Sequence, residues 1–320
     1  MAALRDQRIY VAGHTGLVGS ALMRGLRRAG CRSLVTAEFE ELDLREQAPT
    51  RAFLQRERPQ VVLLAAARVG GILANATRPA DFVGDNLAIQ HNVIDAAWRA
   101  GAERLLFLGS SCIYPRDAAQ PLRERDLLTG PLEPTNRPYA VAKIAGIEMC
   151  WAYNRQHGTR CLAVMPTNLY GPGDNYDLQG SHVLPALIRR FHEAVRRHDD
   201  TVTLWGTGAP RREFLHSDDL AGACLHLLGL EDAALAEVID KDEPPLINIG
   251  CGQDLTIREL AERVAALAGF GGEIRWDASK PDGTPRKLLD VSRLTALGWT
   301  PAIPLEQGLP LACADYLERA

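Results

Sequence analysis

Two side chains able to do chemistry, the hydroxyl of Ser110 and the thiol of Cys112, follow an apolar run at residues 105–108. The run predicts a buried strand, and polar residues directly after it would lie at the carboxyl edge of a sheet, where open α/β sheets bind ligands. A hydroxyl at that edge can hydrogen-bond a carbonyl oxygen, and a thiol can carry a proton. Cys112 also has a structural alternative, because a cysteine at a strand end is often a small buried hydrophobe.

A tyrosine and a lysine, Tyr139 and Lys143, stand four residues apart. On a helix this spacing places both side chains on one face. A lysine ammonium beside a phenol favours the phenolate and lowers the pKa of the phenol, which suits a proton donor to a carbonyl oxygen. The spacing is common by chance and also fits a surface pair, so the catalytic interpretation depends on Ser110 and on a glycine turn near the start of the chain.

That turn carries three glycines, which follow a predicted strand at residues 8–12 and precede a predicted amphipathic helix at 20–29. A strand, a glycine turn and a helix in this order are typical of a dinucleotide-binding fold, because glycine lets the backbone approach a pyrophosphate and the helix N-terminus favours its charge. The alternative is an ordinary tight turn. The cofactor-binding residues predicted here are Gly13, His14, Thr15, Gly16, Leu17, Val18 and Gly19.

Predicted strands and helices alternate through the first half of the chain. The strands are expected at 8–12, 34–36, 61–67, 104–108 and 161–165, with long helices at 85–100 and 143–156. This alternation predicts an α/β fold with a doubly wound parallel Rossmann sheet over residues 1–175. Residues 176–320 are expected to form mainly a smaller C-terminal substrate-binding domain, with parts of 213–230 and 285–295 packing back on the first.

The composition is that of a globular protein, with 46% hydrophobic and 24% charged residues in a chain of 320. The formal net charge of -4 gives no reason to expect nucleic acid or a membrane as a partner. We expect no signal peptide, and no apolar run approaches the ~20 residues of a membrane span. Seven cysteines without a CxxC pair predict free thiols and no metal site, so we expect a cytoplasmic protein.

The glycine turn, Ser110 and the Tyr139-x-x-x-Lys143 pair match the extended short-chain dehydrogenase/reductases in order and spacing. Within that superfamily the chain closely resembles the GDP-L-fucose synthase family. The similarity extends over nearly the whole chain. The matching segments are residues 109–115, 166–172, 181–185, 205–208, 212–214 and 280–287.

The resemblance implies a role for each matching residue. Ser110, Tyr139 and Lys143 would perform a reduction, and Cys112 and His182 an epimerisation. A GDP-sugar substrate would be held by Arg190, Trp205, Arg212 and Lys287. The cofactor would also contact Leu108, Ser110, Lys143, Pro166, Thr167, Asn168, Leu169 and His182. By analogy with the superfamily, a homodimer is expected.

The implied reaction converts GDP-4-dehydro-6-deoxy-D-mannose to GDP-L-fucose by 3,5-epimerisation and then NADPH-dependent 4-reduction. Both C–H bonds to be inverted lie alpha to the ketone and are acidic, so one group must remove a proton and another must return it on the opposite face. The ordinary pKa values of cysteine (~8.5) and histidine (~6.5) suit that exchange, and the sequence leaves open which of Cys112 and His182 is the base. Ser110 and Tyr139 would share O4 as one oxyanion site for both half-reactions.

The cofactor prediction is NADP(H), with NADH as an alternative. Some family members place arginines in the glycine turn and after the second strand to hold a 2′-phosphate, whereas this chain has Thr15, Ala37 and Phe39 there. Glu38 lies at about the distance expected for an acceptor of the adenosine 2′-hydroxyl, which favours NAD, although a solvated loop carboxylate is an equal alternative.

Other interpretations stay open. The substrate could be a different GDP-4-keto sugar, or the enzyme a nucleotide-sugar 4-epimerase. A dehydratase is disfavoured because Ser111 and Cys112 stand where it needs an acidic pair. A regulator without turnover would typically lack the serine, tyrosine or lysine. His182 could be a helix cap, Trp205 core filler, and Arg212 a solvated residue.

Overall fold

The computed structural model describes residues 4–178, 180–239, 242–280 and 282–320. Pro281, in the predicted substrate-binding segment 280–287, lies outside them, as do residues 1–3 of the predicted first domain. The strands are β1 Arg8–Ala12, β2 Ser33–Val35, β3 Val61–Leu64, β4 Arg104–Leu108, β5 Cys161–Pro166, β6 Asn168–Tyr170, β7 Thr201–Trp205, β8 Arg211–His216, β9 Leu246–Ile249, β10 Asp254–Thr256, β11 Glu273–Asp277 and β12 Arg286–Lys287.

The helices surround these strands. They are α1 Leu17–Arg28, α2 Gln47–Glu57, α3 Ile72–Thr77, α4 Pro79–Ala100, α5 Arg137–His157, α6 Val183–Arg197, α7 Ser217–Leu228, α8 Asp232–Ile239, α9 Ile257–Ala268, α10 Ser292–Ala296 and α11 Leu305–Arg319. Short 3₁₀ turns form at Ser111–Ile113, Glu124–Asp126 and Pro134–Asn136.

Six parallel strands form the main sheet, in the order β2-β1-β3-β4-β5-β9. The chain leaves β1 toward β2 on one side and returns to β3 on the other, so the direction of winding reverses between β1 and β3. Ligands of open α/β sheets bind at such a switch point, outside the carboxyl ends of the strands. The predicted α/β class and doubly wound parallel sheet are confirmed.

Apolar cores cover both faces of this sheet because neighbouring residues of a strand point to opposite sides. In β1, Ile9 and Val11 pack into one core, and Tyr10 and Ala12 into the other. Helices α1 and α7 contribute to the first core, and α2, α4 and α5 to the second. The buried strands therefore hold the loops at their carboxyl ends in fixed positions.

A second layer lies after β5 and is centred on strand β8. The first half of β8 pairs with β12 and the second half with β6, both in parallel, while β10 lies antiparallel on its other side. Strands β7 and β11 form a separate parallel pair. Helices α6, α9 and α11 enclose a third apolar core with these strands.

The boundaries differ from the predictions in ways that proline and glycine explain. Helix α1 begins at Leu17 rather than residue 20, because Gly16 is still extended and the chain turns helical directly after it. Helix α4 begins at Pro79 rather than residue 85, since proline is preorganised for the first position of a helix. Strand β3 ends at Leu64, before the predicted 67.

One strand of the main sheet comes from beyond the predicted division at residue 175. Strand β9, Leu246–Ile249, pairs with β5 and forms an edge of the sheet. Helix α7 also packs against α1. The division between 1–175 and 176–320 stays a prediction. None of the helices in the described part of the chain combines the length and apolarity needed to cross a membrane.

Candidate active site

One cleft of about 1590 Å³ runs along the carboxyl ends of β1, β3, β4 and β5 and continues under the second layer. Its volume exceeds the roughly 300–1,000 Å³ of a site for one drug-sized ligand, so a cofactor and a substrate can lie in it together. Every predicted site residue lines it: Gly13, His14, Thr15, Gly16, Leu17, Val18, Gly19, Leu108, Ser110, Cys112, Tyr139, Lys143, Pro166, Thr167, Asn168, Leu169, His182, Arg190, Trp205, Arg212 and Lys287.

The glycine turn has a shape that fits a dinucleotide pyrophosphate. Gly13 has a φ of +79°, and a Cβ there would lie 2.7 Å from Cα of Ala66. A Cβ on Gly19 would collide with the carbonyl of Gly13, so α1 packs closely on the turn. A Cβ on Gly16 would meet only the Gly13 oxygen, at 3.7 Å, and otherwise faces open space. The first two positions require glycine within the protein itself, and the open space over Gly16 leaves the N-terminus of α1 accessible to an anion.

The turn that carries Ser110 is fixed by its surroundings. A Cβ on Gly109 would collide with the side chain of Met165 on β5, so the chain bends closely over the sheet. The Ser110 hydroxyl then accepts the N–H of Cys112 at 3.4 Å and caps the 3₁₀ turn. Two residues on, the hydroxyl of Tyr114 donates to Asn248 of β9 at 2.5 Å. The hydroxyl and the thiol are thereby held at the end of β4.

Helix α5 brings Tyr139 and Lys143 to the same place on one face. The ammonium of Lys143 donates to the carbonyl of Leu108 at 2.7 Å and lies 4.8 Å from the Phe107 ring centroid. It is 5.8 Å from the centroid of the Tyr139 ring. Gln90 on α4 donates to the Ala142 carbonyl at 2.6 Å and helps to position α5.

The pKa values of this pair differ from the prediction. Loss of water around the phenol raises the pKa of Tyr139, and a hydrogen bond with Ser110 only partly offsets this. Burial lowers the pKa of Lys143 to about 8. The predicted lowering of the phenol's pKa by Lys143 is therefore wrong for the protein without ligands, because burial has the largest effect on this pKa and raises it.

Cys112 and His182 lie in the same cleft and are both influenced by Lys287. Burial raises the pKa of the Cys112 thiol, while Lys287 and then Lys143 act in the opposite direction. Burial of the imidazole lowers the pKa of His182, and the charge of Lys287 lowers it further. His182 precedes α6 as its N-cap residue but makes no side-chain cap, so its imidazole is free for another use.

The far end of the cleft is cationic and aromatic. Arg212 of β8 and Lys287 of β12 are register partners in a parallel pair, which places their side chains next to each other. Trp205 ends β7 with an exposure of 58%, and the Lys280 ammonium lies 5.8 Å from its ring. Arg190 of α6 reaches the Thr203 carbonyl of the same strand at 3.4 Å. Two adjacent cations suit a diphosphate, and an exposed indole suits a planar base.

A model of the NAD dependent epimerase/dehydratase family matches residues 9–250. The chain belongs to this family. Its fold, glycine turn and Tyr139–Lys143 pair are those that an epimerase or dehydratase with a dinucleotide cofactor requires.

Named relatives resemble the chain over nearly its full length. GDP-L-fucose synthase 1 of Arabidopsis thaliana is 54% identical over 318 residues, covering 98% of this chain and 94% of the relative. GDP-L-fucose synthase of Escherichia coli (strain K12) is 52% identical over 317 residues, with 98% of each chain covered. The structure of a GDP-mannoheptose C4 reductase from Campylobacter jejuni with NADP bound has a TM-score of 0.88 at 36% identity, covering 98% of this chain and 99% of that one.

One residue that the sequence analysis did not single out, Glu213, connects several of the loops around the cleft. Glu213 is fully buried on β8, and its carboxylate accepts the N–H groups of Gly252 at 2.7 Å and Leu289 at 3.0 Å. Its carbonyl accepts the side chains of Thr167 at 3.1 Å and Asn168 at 2.8 Å. The available signal was the place of this carboxylate between Arg212 and Phe214, in the segment 212–214 that matches the family.

Proposed function

We propose that the chain converts GDP-4-dehydro-6-deoxy-D-mannose to GDP-L-fucose, by 3,5-epimerisation followed by NADP(H)-dependent 4-reduction in a single site. The observation that carries this proposal is the shared cleft. It contains the reductase trio Ser110, Tyr139 and Lys143 together with Cys112 and His182, two further proton carriers that a plain reductase does not use.

The epimerisation needs two groups with opposite tasks at each of C3 and C5. One of Cys112 and His182 takes the proton from the carbon, the C–H electrons pass into an enolate, and the other group returns a proton on the opposite face. Ser110 and Tyr139 donate hydrogen bonds to the enolate oxygen O4. Lys287 favours loss of a proton from both carriers, and at Cys112 this opposes the rise in pKa that burial causes.

The reduction uses the same oxygen site. Tyr139 gives its proton to O4, and Ser110 holds that oxygen in line. The bound NADP(H) supplies the hydride that C4 receives. Lys143 stays charged below its pKa of about 8 and stabilises the phenolate left by proton transfer. The glycine turn 13–19 and residues 166–169 hold the cofactor, while Arg212, Lys287, Arg190 and Trp205 hold the GDP-sugar.

The test is to incubate the protein with GDP-4-dehydro-6-deoxy-D-mannose and NADPH and to identify the product by NMR. We expect one NADPH consumed for each GDP-L-fucose formed. A sugar reduced at C4 with C3 and C5 unchanged would refute the epimerase half of the proposal. The reductase half would be wrong if neither NADPH nor NADH were consumed.

The role of Cys112 is tested separately by proton exchange in deuterated water. Cys112→Ser should slow deuterium incorporation at C3 and C5 by about 10²–10⁴-fold, the usual contribution of one acid/base group. Cys251→Ser is the matched control, since that thiol lies outside the cleft and donates to the Phe214 carbonyl at 3.4 Å, which a hydroxyl can also do. Equal exchange in both variants would contradict the assignment.

We also propose that the protein works as a cytoplasmic homodimer. All seven cysteines are free thiols, which suits a reducing compartment. Helices α4 and α5 pack side by side and carry exposed apolar side chains at Leu87 and Val141. A pair of such helices from two copies would bury these side chains. A monomer in gel filtration at working concentration would contradict the dimer.

A further inference from the structure

The rim of the cleft beside the glycine turn carries an unusual set of charges. Strands β1 and β2 are parallel neighbours, with Tyr10 opposite Val35, so the loops that follow them lie side by side. Glu38 stands between Ala37 and Phe39, which both line the cleft. Its carboxylate lies 3.1 Å from Nε2 of His14 in the glycine turn. With 55% of its side chain exposed, Glu38 stays accessible to a ligand.

The cations at this rim are already neutralised. Arg45 donates to Asp43 at 2.6 Å and lies 3.5 Å from Asp85. The Asp43 pair is strong enough that Arg45 holds the pKa of this carboxyl below its usual range. Arg68 lies on the other side of Asp85, at 2.7 Å, and is also 3.1 Å from Asp81. Among the described residues that line this end of the cleft, both arginines are therefore paired with carboxylates.

At the remaining positions, the imidazole of His14 already lies against the Glu38 carboxylate, 3.1 Å away. Thr15, Ala37 and Phe39 are uncharged. Glu41 is a second carboxylate close by, since it accepts the N–H of Glu38 at 3.3 Å. A 2′-phosphate carries about two negative charges near neutral pH, and repulsion from exposed carboxylates at its site disfavours binding.

We propose that Glu38 accepts a hydrogen bond from the adenosine 2′-hydroxyl, and that this chain therefore binds NADH at least as tightly as NADPH. A ribose hydroxyl can donate to the carboxylate in a charge-assisted bond. NADPH still enters, because the glycine turn binds the pyrophosphate of either dinucleotide, but its extra phosphate faces Glu38. The inference rests on the proposed function only in taking a nicotinamide dinucleotide as the ligand.

The experiment measures the dissociation constants of NADH and NADPH by fluorescence, with no sugar present. For the wild type we expect the constant for NADPH to equal or exceed that for NADH. Glu38→Gln should weaken NADH and strengthen NADPH, changing the ratio by ~5-fold or more, the factor that about 1 kcal/mol produces. Glu40→Gln is the matched control, since it removes the same charge from an exposed neighbour two positions away, whereas the contact with His14 of the glycine turn is made by Glu38.

The inference is overturned by a wild type that binds NADPH more tightly than NADH, by a Glu38→Gln variant with the wild-type ratio, or by an equal change in Glu40→Gln. Loss of NADPH binding alone in Arg45→Gln would also refute it, because Arg45 would then be the phosphate ligand. Since no sugar is used, NADH binding through Glu38 can be found even if the protein leaves the GDP-keto sugar unchanged. That outcome would refute the proposed function alone.

Discussion

The two ends of the cleft use charged and titratable side chains in opposite ways. At the catalytic end, Cys112 is 6% exposed and Lys143 3%, and loss of water alters the pKa of both. At the adenosine end, Glu38 and Arg45 are solvated, and neighbouring charges rather than burial determine what they attract. Burial therefore controls reactivity at one end, and surface charge controls selectivity at the other.

The sheet explains this difference. The catalytic residues follow β4 and face α5, both inside the core, whereas Glu38 follows β2, a three-residue strand at the edge of the sheet. A central strand is covered on both faces, and an edge strand is not. Changes at the catalytic end should accordingly have large effects on rate, and changes at the rim small effects on affinity.

The largest effect is expected for Tyr139→Phe. Removing the proton donor should lower the rate of 4-reduction by about 10²–10⁴-fold, while the dissociation constant of the dinucleotide stays unchanged. Stopped-flow measurement of NADPH oxidation, with fluorescence titration of the cofactor, checks both. Tyr153→Phe is the matched control on the same helix, since its hydroxyl bonds Asp95 at 3.1 Å and does not line the cleft. A reduction rate within tenfold of wild type would contradict the role of Tyr139.

An intermediate effect is expected on stability in Lys143→Met. The pKa of Lys143 falls to about 8 in the folded protein, so in the window between 8 and its ordinary 10.5 the unfolded chain binds more protons. The stability due to this group is thus present above 10.5 and lost as pH falls through 8. In the absence of ligands, we compare the free energy of unfolding of Lys143→Met with that of wild type. The difference, variant minus wild type, should be about 3 kcal/mol larger at pH 7 than at pH 10.5.

Urea unfolding at the two pH values measures this gain. The lost hydrogen bond to Leu108 is part of this difference, since folded Lys143 donates it as an ammonium at pH 7 and as a neutral amine at pH 10.5. If the stability difference between variant and wild type does not change with pH, burial does not disfavour the charged form of Lys143. The claim that burial governs the catalytic end of the cleft would then be wrong.

The smallest effect is expected from salt at the adenosine end. Raising ionic strength from ~0.01 M to 0.15 M shortens the Debye length from about 30 Å to about 8 Å, which screens Glu38 from a 2′-phosphate. The preference for NADH should decrease by about twofold, whereas the rate of reduction at saturating cofactor should stay the same. Titration at both salt concentrations checks the first, and single-turnover kinetics the second. A preference that increases with salt would indicate a buried or hydrophobic origin.

The sequence was most informative where a motif combines residue type with a fixed element. The glycine turn followed a strand, and the pair Tyr139 and Lys143 lay on one helix, so their convergence on Ser110 could be predicted along with the Rossmann fold. Arg212 and Lys287 were predicted to bind the substrate, but their pairing across β8 and β12 required the structure.

Features that depend on contacts between distant segments could not be predicted. The pKa of Tyr139 is raised chiefly by burial, which depends on how α5 packs over the end of β4, and the Lys143 ammonium is held by a carbonyl 35 positions away in the chain. The sixth strand, β9, joins the sheet through β5 from beyond the predicted domain boundary. Glu213 gave little signal because its partners lie on three separate loops.

Glu213 also limits how this protein can be recombined with its relatives. The same residue bonds Thr167 and Asn168 in the cleft through its carbonyl, and Leu289, two positions after Lys287, through its carboxylate. A chimera that exchanges the segment 280–289 for that of a relative acting on a different sugar would keep the bond between Glu213 and Leu289 only if β8 came from the same parent, and β8 in turn bonds the loop after β5. These three segments should therefore be exchanged together. A design that replaces only one of them should weaken binding of both the dinucleotide and the GDP-sugar.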